Sequence, residues 1–157
     1  STQTLWKKFG YSTSAYGEGW ALYAERLAIE IGLVEDPYDL IGSLQSELFR
    51  AVRLVIDTGL HSKRWTRERA IDYKIKNLGS EESEAISEVE RYIVWPGQAC
   101  AYMIGRIKIM ELREKAKNEL GEKFDIKDFH TAVLMNGSLP LTVLESVIDD
   151  YINENKG

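Results

Sequence analysis

Residues that could do chemistry fall in three places along the 157-residue chain. The first is the run Tyr16-Gly17-Glu18-Gly19-Trp20-Ala21-Leu22-Tyr23-Ala24-Glu25. Continued to Ile31, it reads as a helix whose polar sector holds only Arg26 and Glu30. At about 100° per residue, Glu18 and Glu25 project away from that sector. Trp20, Tyr23, Ala24, Leu27 and Ile31 fill the other side, so both carboxylates are expected to point into protein. An unpaired buried carboxylate is costly and needs an arginine, backbone donors or a metal ion. For Glu25 an arginine is the expected partner. For Glu18 an arginine and a metal ion both stay open. Catalytic zinc takes three protein ligands. The chain has two histidines, His61 and His130, one cysteine, Cys100, and no His-Glu-x-x-His. By itself it shows no complete metal site.

The second place is Arg53, Asp57 and His61, spaced i, i+4, i+8 on one helical face. An aspartate one turn before a histidine can fix the imidazole tautomer and raise its basicity. The plain alternative, a solvated stripe on an amphipathic helix, is the better reading from spacing alone. Arg50 and Gly59 close by weigh the other way, toward a crowded polar seam.

The third is Arg91-Tyr92 followed by Pro96-Gly97-Gln98 and Tyr102. Pro96 has no N–H for the Tyr92 carbonyl, so the helix kinks or ends there. Gln98, Tyr102 and Arg106 then share one face of the next helix. Tyr, Gln and Arg are donors suited to an oxyanion or a carboxylate. Core packing with satisfied tyrosine hydroxyls is the alternative. His130 reads as a satisfied or surface histidine, and Cys100 as a buried packing residue.

Helices must position all of these. After a turn at Glu35-Asp36-Pro37, a long helix is expected from Tyr38 to His61, with Leu40, Leu44, Leu48, Ala51, Val52 and Val55 as its apolar face. Gly59 inside it calls for a packing reason. Thr66 can cap a helix to Leu78 that Gly79 ends, and Ser80 can cap the next, through Glu81 to Val94. A helix is expected from Pro96 to Leu120, closed by Gly121. Asp125 or Phe124 opens a short one ending near Asn136-Gly137, and Pro140 opens the last, to Asn153. Residues 1–15 read as a short helix and a loop. No stretch reads as a strand. The expected fold is all-α, a compact single domain of about six or seven helices.

Composition sets outer bounds. Hydrophobic residues make up 44% and charged residues 29%, an ordinary globular balance. A net charge of −5 argues against a nucleic-acid surface. A single cysteine excludes an internal disulfide framework. No apolar run reaches membrane-spanning length, and no signal peptide is read at Ser1.

Taken together, several strings resemble the bacterial "domain of unknown function 885" family. They are Glu18-Gly-Trp-Ala-Leu-Tyr-Ala-Glu25, Arg53-Leu-Val-Ile-Asp57-Thr-Gly-Leu-His61, Arg91-Tyr92 with Pro96-Gly-Gln-Ala, Phe124-Asp125 with Phe129-His130, and Gly137-Ser-Leu-Pro140-Leu141. The resemblance implies a larger, mostly helical protein similar to gluzincin-type zinc metallopeptidases. Such proteins carry a His-Glu-x-x-His-like helix upstream of the Glu-Gly-Trp helix. Glu18 would then be the third zinc ligand, and this chain the C-terminal part of such a protein. The Arg-Tyr pair is similar to one in angiotensin-converting-enzyme-type peptidases, which makes Tyr92 an oxyanion donor. Asp57 and His61 would form an oriented imidazole beside the substrate. Arg53, Arg91, Gln98 and Tyr102 would hold a peptide or amide substrate, with an arginine pairing its carboxylate.

Two functional expectations result. In one, the intact protein is a zinc-dependent peptidase or amidase, and this chain alone is inactive. It would pack against the missing N-terminal part or self-associate through Trp6, Trp20 and Tyr23. In the other, the chain is a helical interaction module, and Glu18, Arg53, Asp57 and Arg91 form a buried ion-pair network.

Overall fold

The computed structural model of the protein describes residues 13–156. Among the described residues there are seven α-helices and no strand. They are α1 (Ser14–Glu30), α2 (Pro37–Lys63), α3 (Arg67–Leu78), α4 (Glu82–Val94), α5 (Ala101–Leu120), α6 (Ile126–Leu134) and α7 (Leu141–Lys156). A single 3-10 turn, Gly121–Lys123, follows α5. The helix and loop expected over residues 1–15 lie mostly outside the described residues, as do Trp6, Phe9 and Tyr11.

Local chemistry explains most boundaries. At the end of α1, Gly32 has φ 75. Its N–H donates to the Ile29 carbonyl at 3.1 Å, and the Leu33 N–H donates to the Ala28 carbonyl at 2.9 Å. This pair of bonds closes a helix through a left-handed glycine. Asp36 caps α2 by accepting from the Tyr38 N–H at 2.8 Å, and Pro37 occupies the first turn. Thr66 caps α3 through the Arg69 N–H at 3.2 Å, and Gly79 ends it with φ 64. Asp125 caps α6 through the Lys127 N–H at 2.7 Å.

Two boundaries differ from expectation. The cap position of α4 is Glu81, which makes no side-chain cap bond. The Ser80 hydroxyl instead accepts from the Lys74 ammonium at 3.2 Å, so it is not free to cap. The helix expected to start at Pro96 starts at Ala101. Between them the Gln98, Cys100 and Ala101 N–H groups donate three residues back, to Trp95, Gly97 and Gln98. Gly97 sits at φ 81, outside helical geometry, which delays the helix by five residues.

The chain divides into two compact units, one being Ala24–Met103 and the other joining the chain before Ala24 to the chain from Ile104 onward. In the first, Val52, Ile56, Ala70, Ile71, Ala85, Val89, Tyr92 and Ala99 form the core. Gly59 is required there, because a Cβ at that position would lie 2.5 Å from the Trp65 ring. In the second, Tyr16, Leu22 and Tyr23 of α1 are buried, as are Ile109 and Leu112 of α5, Phe129 and Val133 of α6, and Leu144 and Ile148 of α7. Helices α1 and α5 touch backbone to backbone. A Cβ on Gly19 would lie 2.4 Å from the Gly105 carbonyl carbon.

Burial corrects two sequence-based expectations. Glu25 is exposed, and so is Ile31. Helix α1 buries only the stripe Tyr16, Gly19, Leu22 and Tyr23, so its apolar composition overstates how much of it is covered. In α2, Leu44, Leu48 and Val55 are exposed, while Val52, Arg53, Ile56, Asp57 and Gly59 are buried. Of the expected core face only Val52 is buried, with Leu40 and Ala51 half-buried, whereas Arg53 and Asp57 of the expected solvated stripe are buried and His61 is exposed.

Candidate functional site

Unit Ala24–Met103 gathers most of the sequence-predicted residues. Arg53 and Asp57 come from the buried side of α2, Arg91 and Tyr92 from the end of α4, Gln98 from the turn, and Tyr102 from the start of α5. A residue the sequence reading missed, Glu88, is their hub. Its Oε2 accepts from the Tyr92 hydroxyl at 2.6 Å and from Arg91 Nη2 at 3.0 Å, and its Oε1 accepts from Arg91 Nε at 3.2 Å. Arg91 also donates to Gln98 Oε1 at 2.8 Å. The signal for Glu88 was available, since it lies one helical turn before both Arg91 and Tyr92. Burial alone would push the Glu88 carboxyl up, but the bonds from Arg91 and Tyr92 outweigh it and hold the carboxyl below its ordinary value. Burial and the Glu88 carboxylate push the Tyr92 phenol up, so it stays protonated and donates.

Arg53 differs from Arg91. It is 6% exposed, yet its Nε is buried with no hydrogen-bond partner among the described residues. Its nearest acid, Glu88 Oε2, is 4.0 Å away. The guanidinium carbon lies 4.6 Å from the Tyr102 ring centroid, 5.3 Å from that of Phe49 and 5.6 Å from that of Tyr92. Three aromatic rings offset part of the cost of burying the cation but accept no conventional hydrogen bond. The Nε–H therefore keeps capacity for an added acceptor, and a carboxylate is the acceptor that suits a guanidinium.

Asp57 and His61 are brought to the break at Pro96, though not to each other. Both Asp57 oxygens accept from the Gly97 N–H, each at 3.1 Å. His61 Nε2 lies 2.9 Å from the Tyr92 carbonyl. A carbonyl only accepts, so Nε2 carries the proton. This is the carbonyl that Pro96 leaves without its helical donor. The expected Asp57–His61 hydrogen bond is thus replaced by two separate bonds that brace the end of α4 and the turn after it. Burial and Asp57 push the Cys100 thiol up to about 12, which fits the packing role expected for it.

In the other unit, Glu18 is half-buried and has neither an ion pair nor a hydrogen bond among the described residues. The described residues contain no group of three His, Cys, Asp or Glu side chains able to hold a metal ion. The donor set of this chain does not fit a zinc site by itself, because Glu18 offers one ligand where three are needed. Tyr23, expected on an open surface, is buried, and its hydroxyl lies 2.7 Å from His130 Nε2. Trp20 stands edge-on to the His130 ring at 5.5 Å. Burial, followed by the charge of Arg113, pushes the His130 imidazole down. An open cleft of about 490 Å³ between α6 and α7 is lined by Asp128, Asn136, Asp150, Tyr151 and Glu154, and none of the predicted site residues is there.

An all-helical chain with a polar cluster at a proline break narrows the class of protein. The chain belongs to the bacterial family of unknown function DUF885, which matches residues 1–148. Among solved structures it is similar to a candidate lipoprotein from Colwellia psychrerythraea, with 54% identity and a TM-score of 0.86 over 90% of this chain and 24% of that one. It is also similar to a candidate lipoprotein of unknown function from Shewanella oneidensis, with 28% identity and a TM-score of 0.83 over 88% of this chain and 26% of that one. The chain thus spans about a quarter of the length of these relatives. No curated protein matches it. No helix among the described residues is long and apolar enough to cross a membrane.

Proposed function

We propose that this chain is part of a larger hydrolase of peptide or amide bonds, and that Arg53 recognises a carboxylate of its substrate. The observation that supports this reading is the Arg53 guanidinium, buried among Phe49, Tyr92 and Tyr102, whose Nε has no hydrogen-bond acceptor among the described residues and lies 4.0 Å from Glu88. Arg91 is less available, since Glu88 and Gln98 already accept from it. Its role is to fix Glu88 and the turn rather than to bind directly. Tyr92 is a protonated donor whose proton is directed at Glu88. It can serve an oxyanion only by exchanging that partner, and Glu88 remains satisfied by Arg91 when it does. Separately, Glu18 is a half-buried carboxylate with no ion pair or hydrogen bond among the described residues, suited to supply one ligand to a metal such as zinc. The other ligands would come from outside these residues, so the 157-residue chain is expected to be inactive alone.

A second reading has its own support. Glu88, Arg91, Tyr92 and Gln98 satisfy one another internally, and Asp57 and His61 are committed to backbone groups. A cluster closed in this way suits an interaction module whose polar groups specify its fold.

Kinetics separate the two. The longer protein is assayed on peptides with a free C-terminal carboxylate and on the same peptides amidated, as wild type and as Arg53→Gln. Loss of a charge-assisted hydrogen bond should lower kcat/KM for the free acids by roughly 10- to 100-fold, with little change for the amides. Equal effects on both series would remove Arg53 from carboxylate recognition.

A further inference from the structure

The first half of α2 is only partly covered by the rest of its unit. No residue between Pro37 and Ala51 is buried, and the first buried positions are Val52 and Arg53. Yet this half is not polar. Ile41 is 53% exposed, Leu44 57% and Leu48 47%, and Val55 continues the row. At 100° per residue these four fall within a sector of about 60°. A Cβ at Gly42 would meet nothing within 4 Å. A helical segment of about a dozen residues is marginal in water unless its apolar face is covered. A row of large aliphatic side chains of this length is also more than a solitary surface normally leaves exposed.

The relatives indicate the occupant. In the Colwellia structure the region similar to this chain is 24% of the polypeptide, so the other three quarters is further chain. That similarity covers 90% of the present chain at a TM-score of 0.86, so the same fold is found in a much longer protein. We infer that the stripe Ile41, Leu44, Leu48 and Val55 is the docking face for the remainder of the same polypeptide, covered by an apolar surface from outside these 157 residues. Of the surface predicted from sequence, Tyr23 is buried, Trp20 is half-buried and Trp6 lies outside the described residues. This inference stands apart from the hydrolase reading, because it concerns how the chain is held and not what it binds.

Cysteine protection in the longer protein tests it. Leu44→Cys and Leu48→Cys are labelled with a maleimide, and each site is read by peptide mapping against the same protein unfolded in urea. The inference expects labelling at least about 100-fold slower in the native protein, unchanged on dilution to nanomolar concentration. Native labelling as fast as in urea would overturn it, because the face would be open. Protection lost on dilution would also overturn it, because a second copy would be the occupant. If the substituted proteins do not fold, hydrogen exchange of the unsubstituted protein decides the same question. Slow exchange over residues 40–50 is expected, and exchange at free-peptide rates contradicts the inference.

Discussion

Charge placement at single residues decides what the candidate site can do. Two arginines approach Glu88, but only Arg91 bonds to it, and Arg53 stands 4.0 Å off. That asymmetry ties Arg91 to Glu88 and Gln98 and leaves the Arg53 Nε without a hydrogen-bond acceptor among the described residues. It also predicts a pH dependence. The folded-state pKa of Glu88 is depressed, so its contribution to stability is present above the unfolded carboxyl value and lost as pH falls through the folded one. Glu88→Gln should therefore flatten the stability profile on the acid side, as measured by urea unfolding from pH 3 to pH 7. An acid limb as steep as wild type would show that Glu88 does not carry the shift. The sequence made Arg53, Arg91 and Tyr92 legible through their types. It did not reveal which acid they meet, because Glu88 lies among the acids of an amphipathic helix, Glu82, Glu84 and Glu90 included. Asp57 and His61 show the opposite limit. Their spacing was right for a pair, but each bonds to a backbone group at the proline break instead.

At the scale of elements, caps and glycines were the most readable features. Asp36, Thr66 and Asp125 cap where their chemistry allows, and Gly32, Gly79 and Gly121 adopt positive φ at helix ends. The delayed start of α5 was not legible, because a proline at a first helical position and a proline within a turn look alike in sequence. The face of α2 was misassigned for another reason. Periodicity identifies an apolar stripe but not what covers it. The crossing of α1 and α5 was equally hidden. A Cβ on Gly105 would lie 1.8 Å from the Ala15 carbonyl oxygen, so Gly105→Ala forces the helices apart. We expect a loss of about 1–3 kcal/mol in unfolding free energy, as typical for overpacking. A loss below about 0.5 kcal/mol would mean that the crossing relaxes freely.

For the whole molecule, the all-α class followed from helical periodicity, caps and the lack of any strand pattern, and the family followed from strings spread along the chain. Function was less legible. The chain is about a quarter of its relatives' length, so a site that draws on the rest of the protein shows only a part here. Glu18 illustrates this, as a carboxylate with no partner among the described residues on a helix whose buried residues are Tyr16, Gly19, Leu22 and Tyr23. On the hydrolase reading proposed above, it would need further metal ligands from outside these residues.

The most direct test of the hydrolase account is peptide hydrolysis by the longer protein, with bound metal quantified on the same samples, for wild type, Glu18→Ala and, as a control, the exposed Glu25→Ala. The account predicts hydrolysis and stoichiometric metal in wild type and in Glu25→Ala, and loss of both in a still-folded Glu18→Ala. Wild-type protein with neither metal nor hydrolysis would contradict it and leave the interaction module as the better account.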